Sequence, residues 1–171
     1  MKNIFLIGYM GTGKSSVAAY MAKEYSMEVL EMDEMIAMRE SMNISDIFAN
    51  NGEEYFRNVE TRLLQEICTQ ENKVVSCGGG IVLRDQNVEE MRKSGMIVLL
   101  SARPETILER VKDDTSRPLL QGNKTVAYIR EMMDKRREFY ENAAEVVIQT
   151  DGKQIGEICS EIFGQINKIG E

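Results

Sequence analysis

The stretch Gly8-Tyr9-Met10-Gly11-Thr12-Gly13-Lys14-Ser15 constrains this chain more than any other, because it reads G-x-x-x-x-G-K-S, the phosphate-cradling P-loop. That pattern demands a strand before it and a helix after it. Ile4-Phe5-Leu6-Ile7 supplies a short apolar run suited to a buried strand, and Val17, Ala18, Met21, Ala22 and Tyr25 recur at helical spacing. Glycines let successive N–H groups turn inward, and the helix start adds unclaimed donors and the positive end of a dipole. Lys14 is placed to reach the β- and γ-phosphates and Ser15 to put its hydroxyl on Mg²⁺. Gly8 is expected to close the strand-to-loop turn. Gly11, Thr12, Gly13, Lys14, Ser15 and Ser16 are the expected phosphate wrap. At ordinary residue frequencies the four fixed positions coincide by chance on the order of 4 times in 100,000 windows, so the chain is read as a nucleotide binder.

With 171 residues, 43% of them hydrophobic, the chain is expected to form one domain, 1–171, with a sizeable core. No apolar run approaches the ~20 residues of a membrane span, and because the first strand leads directly into the P-loop no cleavable signal peptide is expected. A cytoplasmic monomer with no membrane partner is expected. Cys68, Cys77 and Cys159 are odd in number and lack metal-ligand spacing, which suits reduced, buried thiols. Methionines such as Met21, Met35, Met38 and Met132 fall at helical positions and are read as packing. Histidine is absent, which excludes imidazole chemistry. The net charge of −7 argues against a nucleic-acid binder held by a basic field. Cations for an anionic ligand must then come from local clusters.

Further along, Glu28-Val29-Leu30-Glu31 reads as a second strand, and Asp33 to about Met42 as a helix with Met35, Ile36 and Met38 apolar. Acidic residues at a strand's carboxyl end sit where open α/β sheets bind ligands. Glu31 and Asp33 point the same way if strand geometry persists, and the competing reading has Asp33 merely capping the helix. Ser45 and Asp46 open a short helix, Asn50-Asn51-Gly52 makes a turn, and a long helix follows with Phe56, Val59, Leu63, Leu64 and Ile67 on one face. Arg57 and Glu60, three apart, are either a surface pair or a carboxylate grip with its orienting partner. Val74-Val75-Ser76 is a third strand running into Cys77-Gly78-Gly79-Gly80, where glycines expose N–H donors to anions or hydroxyls.

Asn87 to about Ser94 is expected to be helical and Met96 to Leu100 a buried fourth strand. Pro104 opens a helix carrying Arg110 near its end. Residues 113–124 are polar and hold Arg117, as in a lid that closes over ATP. Thr125 to Tyr140 reads as a helix with the cluster Lys135-Arg136-Arg137, Val146-Val147-Ile148 as a fifth strand, and Lys153 onward as a helix with Ile155, Ile158, Ile162 and Phe163 inward. This alternation predicts an α/β, three-layer doubly wound fold with a mainly parallel five-stranded sheet.

Taken together, G-Y-M-G-T-G-K-S at 8–15, E-M-D at 31–33, F-R-N-V-E at 56–60, G-G-G at 78–80, R-P-L-L at 117–120 and K-R-R-E-F-Y at 135–140 resemble the shikimate kinase family over nearly the whole chain. The resemblance implies a nucleoside monophosphate kinase-like fold with sheet order 2-3-1-4-5, substrate-binding helices at about 33–60 and a lid at about 112–124. It implies transfer of the ATP γ-phosphoryl group, with one Mg²⁺ per subunit, to the 3-hydroxyl of shikimate. Asp33 would hold the ring hydroxyls as candidate base or orienter. Arg57 and Arg136 would bind the carboxylate, beside Gly78, Gly79 and Gly80. Lys14 and Arg117 would stabilise charge on the transferring group, Arg110 and Lys153 would lie around the adenine, and Ser15 with Glu31 would serve the metal, Glu31 through water. The family usually has D-x-D where this chain has Glu31-Met32-Asp33, so Glu31 keeps the charge on a longer arm.

Three other readings compete. A gluconate or nucleoside monophosphate kinase would share the fold and differ in acceptor. A GTP-dependent switch needs N-K-x-D, but Asn123-Lys124 is followed by Val126 at the required Asp, and no D-x-x-G occurs. An ATP-binding regulator without catalysis would have lost motif positions, whereas only Glu31 departs here.

Overall fold

Alternation along the strands decides how the layers assemble. On β1 (Asn3–Ile7), Phe5 and Ile7 enter one apolar cluster while Ile4 and Leu6 enter another. On β4 (Gly95–Ser101), Ile97 and Leu99 divide from Val98 and Leu100 in the same way. Side chains of period two on a sheet buried on both faces require helices on both sides. The computed structural model, which describes residues 1–112 and 125–170, shows that arrangement.

The sheet order is β2-β3-β1-β4-β5, with every described pairing parallel, as expected. β2 is Glu28–Glu31, β3 Lys73–Ser76 and β5 Val146–Gln149. α1 (Lys14–Glu24) and α7 (Ile155–Ile169) cover one face through Val17, Ala18, Met21, Ile158, Cys159 and Ile162. The other face carries α2 (Met32–Glu40), α3 (Ile44–Ile67), α4 (Asp85–Ser94), α5 (Pro104–Val111) and α6 (Val126–Ala143). The parallel crossovers leave the carboxyl ends of β1, β2 and β3 on one edge, where Gly8 and Cys77 follow their strands and Glu31 ends its own. Among the described residues, no helix is long and apolar enough to cross a membrane.

Several local expectations change. The helix after β2 starts at Met32, so Asp33 stands in its first turn and the strand parity proposed for Glu31 and Asp33 does not hold. Met38 is 81% exposed and does not pack, because α2 buries only the Met32 and Ile36 side of its cylinder. Ile155, at the first position of α7, is likewise exposed while Ile158 and Ile162 are buried. The helix at 44–67 starts one residue earlier than Ser45-Asp46 suggests, with the Asn43 side chain accepting from the Asp46 N–H at 2.8 Å. It runs to Ile67 with a break at Gly52, whose φ of 84° and ψ of 169° are non-helical. Cys77 and Cys159 are buried and Cys68 half-buried, all as free thiols. Of the expected lid, residues 113–124, Arg117 among them, lie outside the described residues.

Candidate active site

The P-loop forms because Gly8 has φ 144° and no side chain: a Cβ there would stand 2.3 Å from the Leu100 carbonyl oxygen of the neighbouring strand. The Thr12 hydroxyl donates to the Tyr9 carbonyl at 2.8 Å and closes the loop on itself. α1 then begins at Lys14, with Gly13 at its N-cap, no side-chain cap and no acidic residue in its first turn. Its first-turn donors and dipole therefore face the loop without a competing carboxylate. Lys14 arches back over the loop, Nζ donating to the carbonyls of Gly8 at 2.6 Å and Tyr9 at 3.1 Å. Ser15 and Ser16 are both exposed at this end of the helix.

Ser15 joins the P-loop to the next two strands. Its hydroxyl donates to Glu31 Oε2 at 3.1 Å and lies 3.4 Å from the Ser76 hydroxyl. The longer arm of Glu31 thus reaches the Ser15 hydroxyl directly. This all-oxygen group suits a hard divalent cation such as Mg²⁺. Ser76 was not singled out by sequence, although its place at the end of β3 beside the P-loop was the available signal.

The acceptor side is built on the glycine run. Each glycine leaves room for a different group of the chain. A Cβ on Gly78 would stand 2.9 Å from both Asp33 Oδ1 and Glu60 Oε2. One on Gly79 would stand 3.2 Å from Arg136 Nη1 and 3.9 Å from the Gly8 carbonyl oxygen. One on Gly80 would sink to 2.3 Å from Arg57 Nη2. The sequence reading gives all three glycines to ligand approach; in the fold, the spaces at Gly78 and Gly80 are taken by the chain's own carboxylates and guanidinium group.

Arg57 and Glu60 are no surface pair. Arg57 is 8% exposed and Glu60 is fully buried, with Nη1 donating to Oε1 at 2.8 Å. Burial pushes the Glu60 carboxyl above its ordinary range; the Arg57 guanidinium opposes that shift and the nearby Asp33 adds to it. Glu60 Oε2 is buried with no hydrogen-bond partner among the described residues, an acceptor that suits a hydroxyl-bearing ligand or water. On α6, the Tyr140 hydroxyl donates to the Gly79 carbonyl. Tyr140 stands one helical turn after Arg136, and that spacing is the signal the sequence reading did not use.

The remaining expected residues among those described are Arg110 and Lys153. Arg110, on α5, donates through Nη1 to the Gly11 carbonyl at 2.9 Å and to the Thr150 hydroxyl at 3.3 Å, beside the P-loop. Lys153 pairs with Glu161 of α7 at 2.8 Å, and its backbone N–H donates to the carbonyl of Thr150, whose hydroxyl Arg110 reaches. So Lys14, Ser15, Glu31, Asp33, Arg57, Arg136 and the glycine run are brought to one edge, and Arg110 and Lys153 meet at Thr150 beside the P-loop. Chemically, this edge offers an anion cradle, two guanidinium groups and a pair of carboxylates a few ångströms apart.

The comparisons with known proteins agree with that chemistry. A family model described as shikimate kinase matches residues 10–167. A shikimate kinase of Thermodesulfovibrio yellowstonii is 39% identical over 169 residues, covering 99% of this chain and 97% of the relative. One from Dehalococcoides mccartyi is 37% identical over 166 residues, covering 97% and 94%. Among solved structures, a shikimate kinase from Acinetobacter baumannii in complex with shikimate superposes with a TM-score of 0.93 at 30% identity, over 99% of this chain and 94% of that one. A gluconokinase from Sinorhizobium meliloti, at 17% identity and a TM-score of 0.59, shares the fold alone.

Proposed function

The chain belongs to the shikimate kinase family and is an ATP-dependent kinase of it, and from that premise we propose how its own residues phosphorylate the 3-hydroxyl of shikimate. What carries the reading is the pair of guanidinium groups, Arg57 over Gly80 and Arg136 over Gly79, set against a P-loop carbonyl. Two forked donors beside a phosphate cradle suit an acceptor that bears a carboxylate. A nucleotide acceptor would instead present a phosphate and a base.

In this mechanism the P-loop amides and Lys14 hold the ATP phosphates. Lys14 leaves the Gly8 and Tyr9 carbonyls to follow charge on the transferring group. Arg57 and Arg136 fix the acceptor carboxylate, and Asp33 with Glu60 takes hydroxyl hydrogens. The acceptor oxygen forms a bond to the γ-phosphorus, the bond from that phosphorus to the bridging oxygen breaks, and ADP departs with the electron pair. The hydroxyl proton passes toward Asp33, whose first duty is orientation, since loose phosphoryl-transfer transition states ask little of a base. Ser15 and Glu31 are the residues that would hold Mg²⁺, which would neutralise phosphate charge when bound.

The test is ADP release from ATP and Mg²⁺ with shikimate, gluconate or nucleoside monophosphates as acceptor. Release with shikimate alone is expected. Release with gluconate or a nucleotide in its place would keep the P-loop reading and remove the carboxylate clamp.

A further inference from the structure

A second polar cluster is buried next to the acceptor clamp, and the reaction as described does not use it. Thr61 stands one helical turn beyond Arg57 on α3 and is 6% exposed. Its hydroxyl donates to Asn87 Oδ1 at 2.9 Å. Asn87, on α4, is fully buried, and its Nδ2 donates to the Ile81 carbonyl at 2.9 Å. Arg84 Nη1 donates to the Thr61 hydroxyl at 3.3 Å, and Nη2 to Glu54, also on α3, at 3.1 Å. Each buried polar end of Thr61 and Asn87 therefore has a partner.

The cluster spans a specific gap. Thr61 lies on the turn of α3 that follows Arg57, and Ile81 directly follows Gly80. The Arg57 guanidinium lies so close over Gly80 that a single methyl group would not fit between them. A slip of a few tenths of an ångström between α3 and the glycine run would therefore move the guanidinium. Desolvating three polar groups in an apolar cluster is costly, and apolar side chains of similar volume would hold the helices together equally well. What the hydrogen-bonded chain adds is register: its directional contacts fix α3 against the peptide after Gly80.

We propose that Thr61 and Asn87 are positioning residues for Arg57, setting affinity for the carboxylate-bearing acceptor without touching it. This rests on the assignment of Arg57 as a carboxylate clamp. Thr61→Val keeps the shape of the side chain and removes its hydroxyl. The expected result is a rise of about five- to tenfold in acceptor KM, the effect of one lost buried hydrogen bond, with ATP KM unchanged and kcat within about twofold. Thr61→Ser restores the acceptor KM. Calorimetric titration of the ATP-free protein with shikimate shows the same loss and recovery without turnover. Asn87→Asp, which keeps the acceptor for Thr61 and sets a carboxylate against the Ile81 carbonyl, gives the same selective rise and decides the matter if the valine variant does not fold.

An unchanged acceptor KM, or equal rises for both substrates, overturns the proposal when Arg57→Ala run in parallel raises acceptor KM alone. If Arg57→Ala also leaves acceptor KM unchanged, the clamp itself fails, and the two failures are told apart.

Discussion

Lys14 holds two loop carbonyls, contacts that the proposed mechanism has it exchange for phosphate oxygens. Its contribution to turnover therefore appears only as charge develops in transfer, which is where a donor lowers a barrier. Lys14→Ala is expected to lose at least ~100-fold in kcat, and near-normal turnover would refute the role. Gly80 gives a second single-residue prediction of the opposite kind. Its φ of −104° is open to any residue, so alanine there meets no backbone strain. The three atoms nearest the added methyl all belong to the Arg57 guanidinium, which is buried against Glu60. Gly80→Ala should raise acceptor KM strongly, with a stability loss no larger than that of disturbing the buried Arg57–Glu60 pair, up to about 3–5 kcal/mol. Urea unfolding beside substrate kinetics checks it; a large stability loss with normal KM would show that the glycine is needed by the turn and not by the guanidinium.

At the scale of elements, α5 is a strut between two loops. One end meets the P-loop through Arg110, while Arg103 at its N-cap makes no side-chain cap of its own. Asp151, from the turn after β5, supplies the cap instead, accepting from the Arg103 N–H at 3.0 Å and the Thr106 hydroxyl at 2.5 Å. Burial works to raise the Asp151 carboxyl, but the Thr106 hydroxyl, the Arg103 amide and the Arg103 guanidinium together hold it below its ordinary range. A depressed folded value means that the unfolded chain binds the proton first. The stabilisation is complete above the unfolded carboxyl range, near pH 4, and is lost as pH falls through the lower folded value. Asp151→Asn is expected to cost about 1 kcal/mol at neutral pH, the size of a lost cap, and to flatten the acid limb of stability. Unfolding curves from pH 7 to pH 2 measure it, and parallel curves for the two proteins would remove the assignment.

The same helix marks where the sequence stops being readable. Pro104 announced the start of α5, and the P-loop, the glycine run and the three-residue spacing of Arg57 and Glu60 all announced themselves through local pattern. The Asp151 cap joins residues 48 apart and the Thr61–Asn87 bond residues 26 apart, so no local spacing encodes them. Burial was equally hidden. The Arg57–Glu60 spacing fits a solvated pair as well as a buried one, and Met38 has the spacing of a packed methionine yet stands exposed.

For the molecule as a whole, the sheet separates two tasks. The face covered by α2 to α6 carries Asp33, Arg57, Glu60 and Arg136 on its helices, and so joins packing to the acceptor recognition proposed for them. The face covered by α1 and α7 meets the P-loop at the first turn of α1 and holds Lys153 through Glu161, while its apolar layer, from Met21 to Ile162, forms a cluster of its own. Truncation there should therefore cost stability without cost to recognition. Ile162→Ala removes a fully buried side chain from α7 and is expected to lower unfolding free energy by about 2–5 kcal/mol. Both KM values should stay at their original level well below the lowered Tm, because close-packed layers transmit strain only through atoms in contact. Steady-state kinetics at a temperature where the variant is fully folded make the comparison. A shifted ATP KM would mean that α7 supports the P-loop through α1; a shifted acceptor KM would mean that the sheet couples its two faces and that the separation is false.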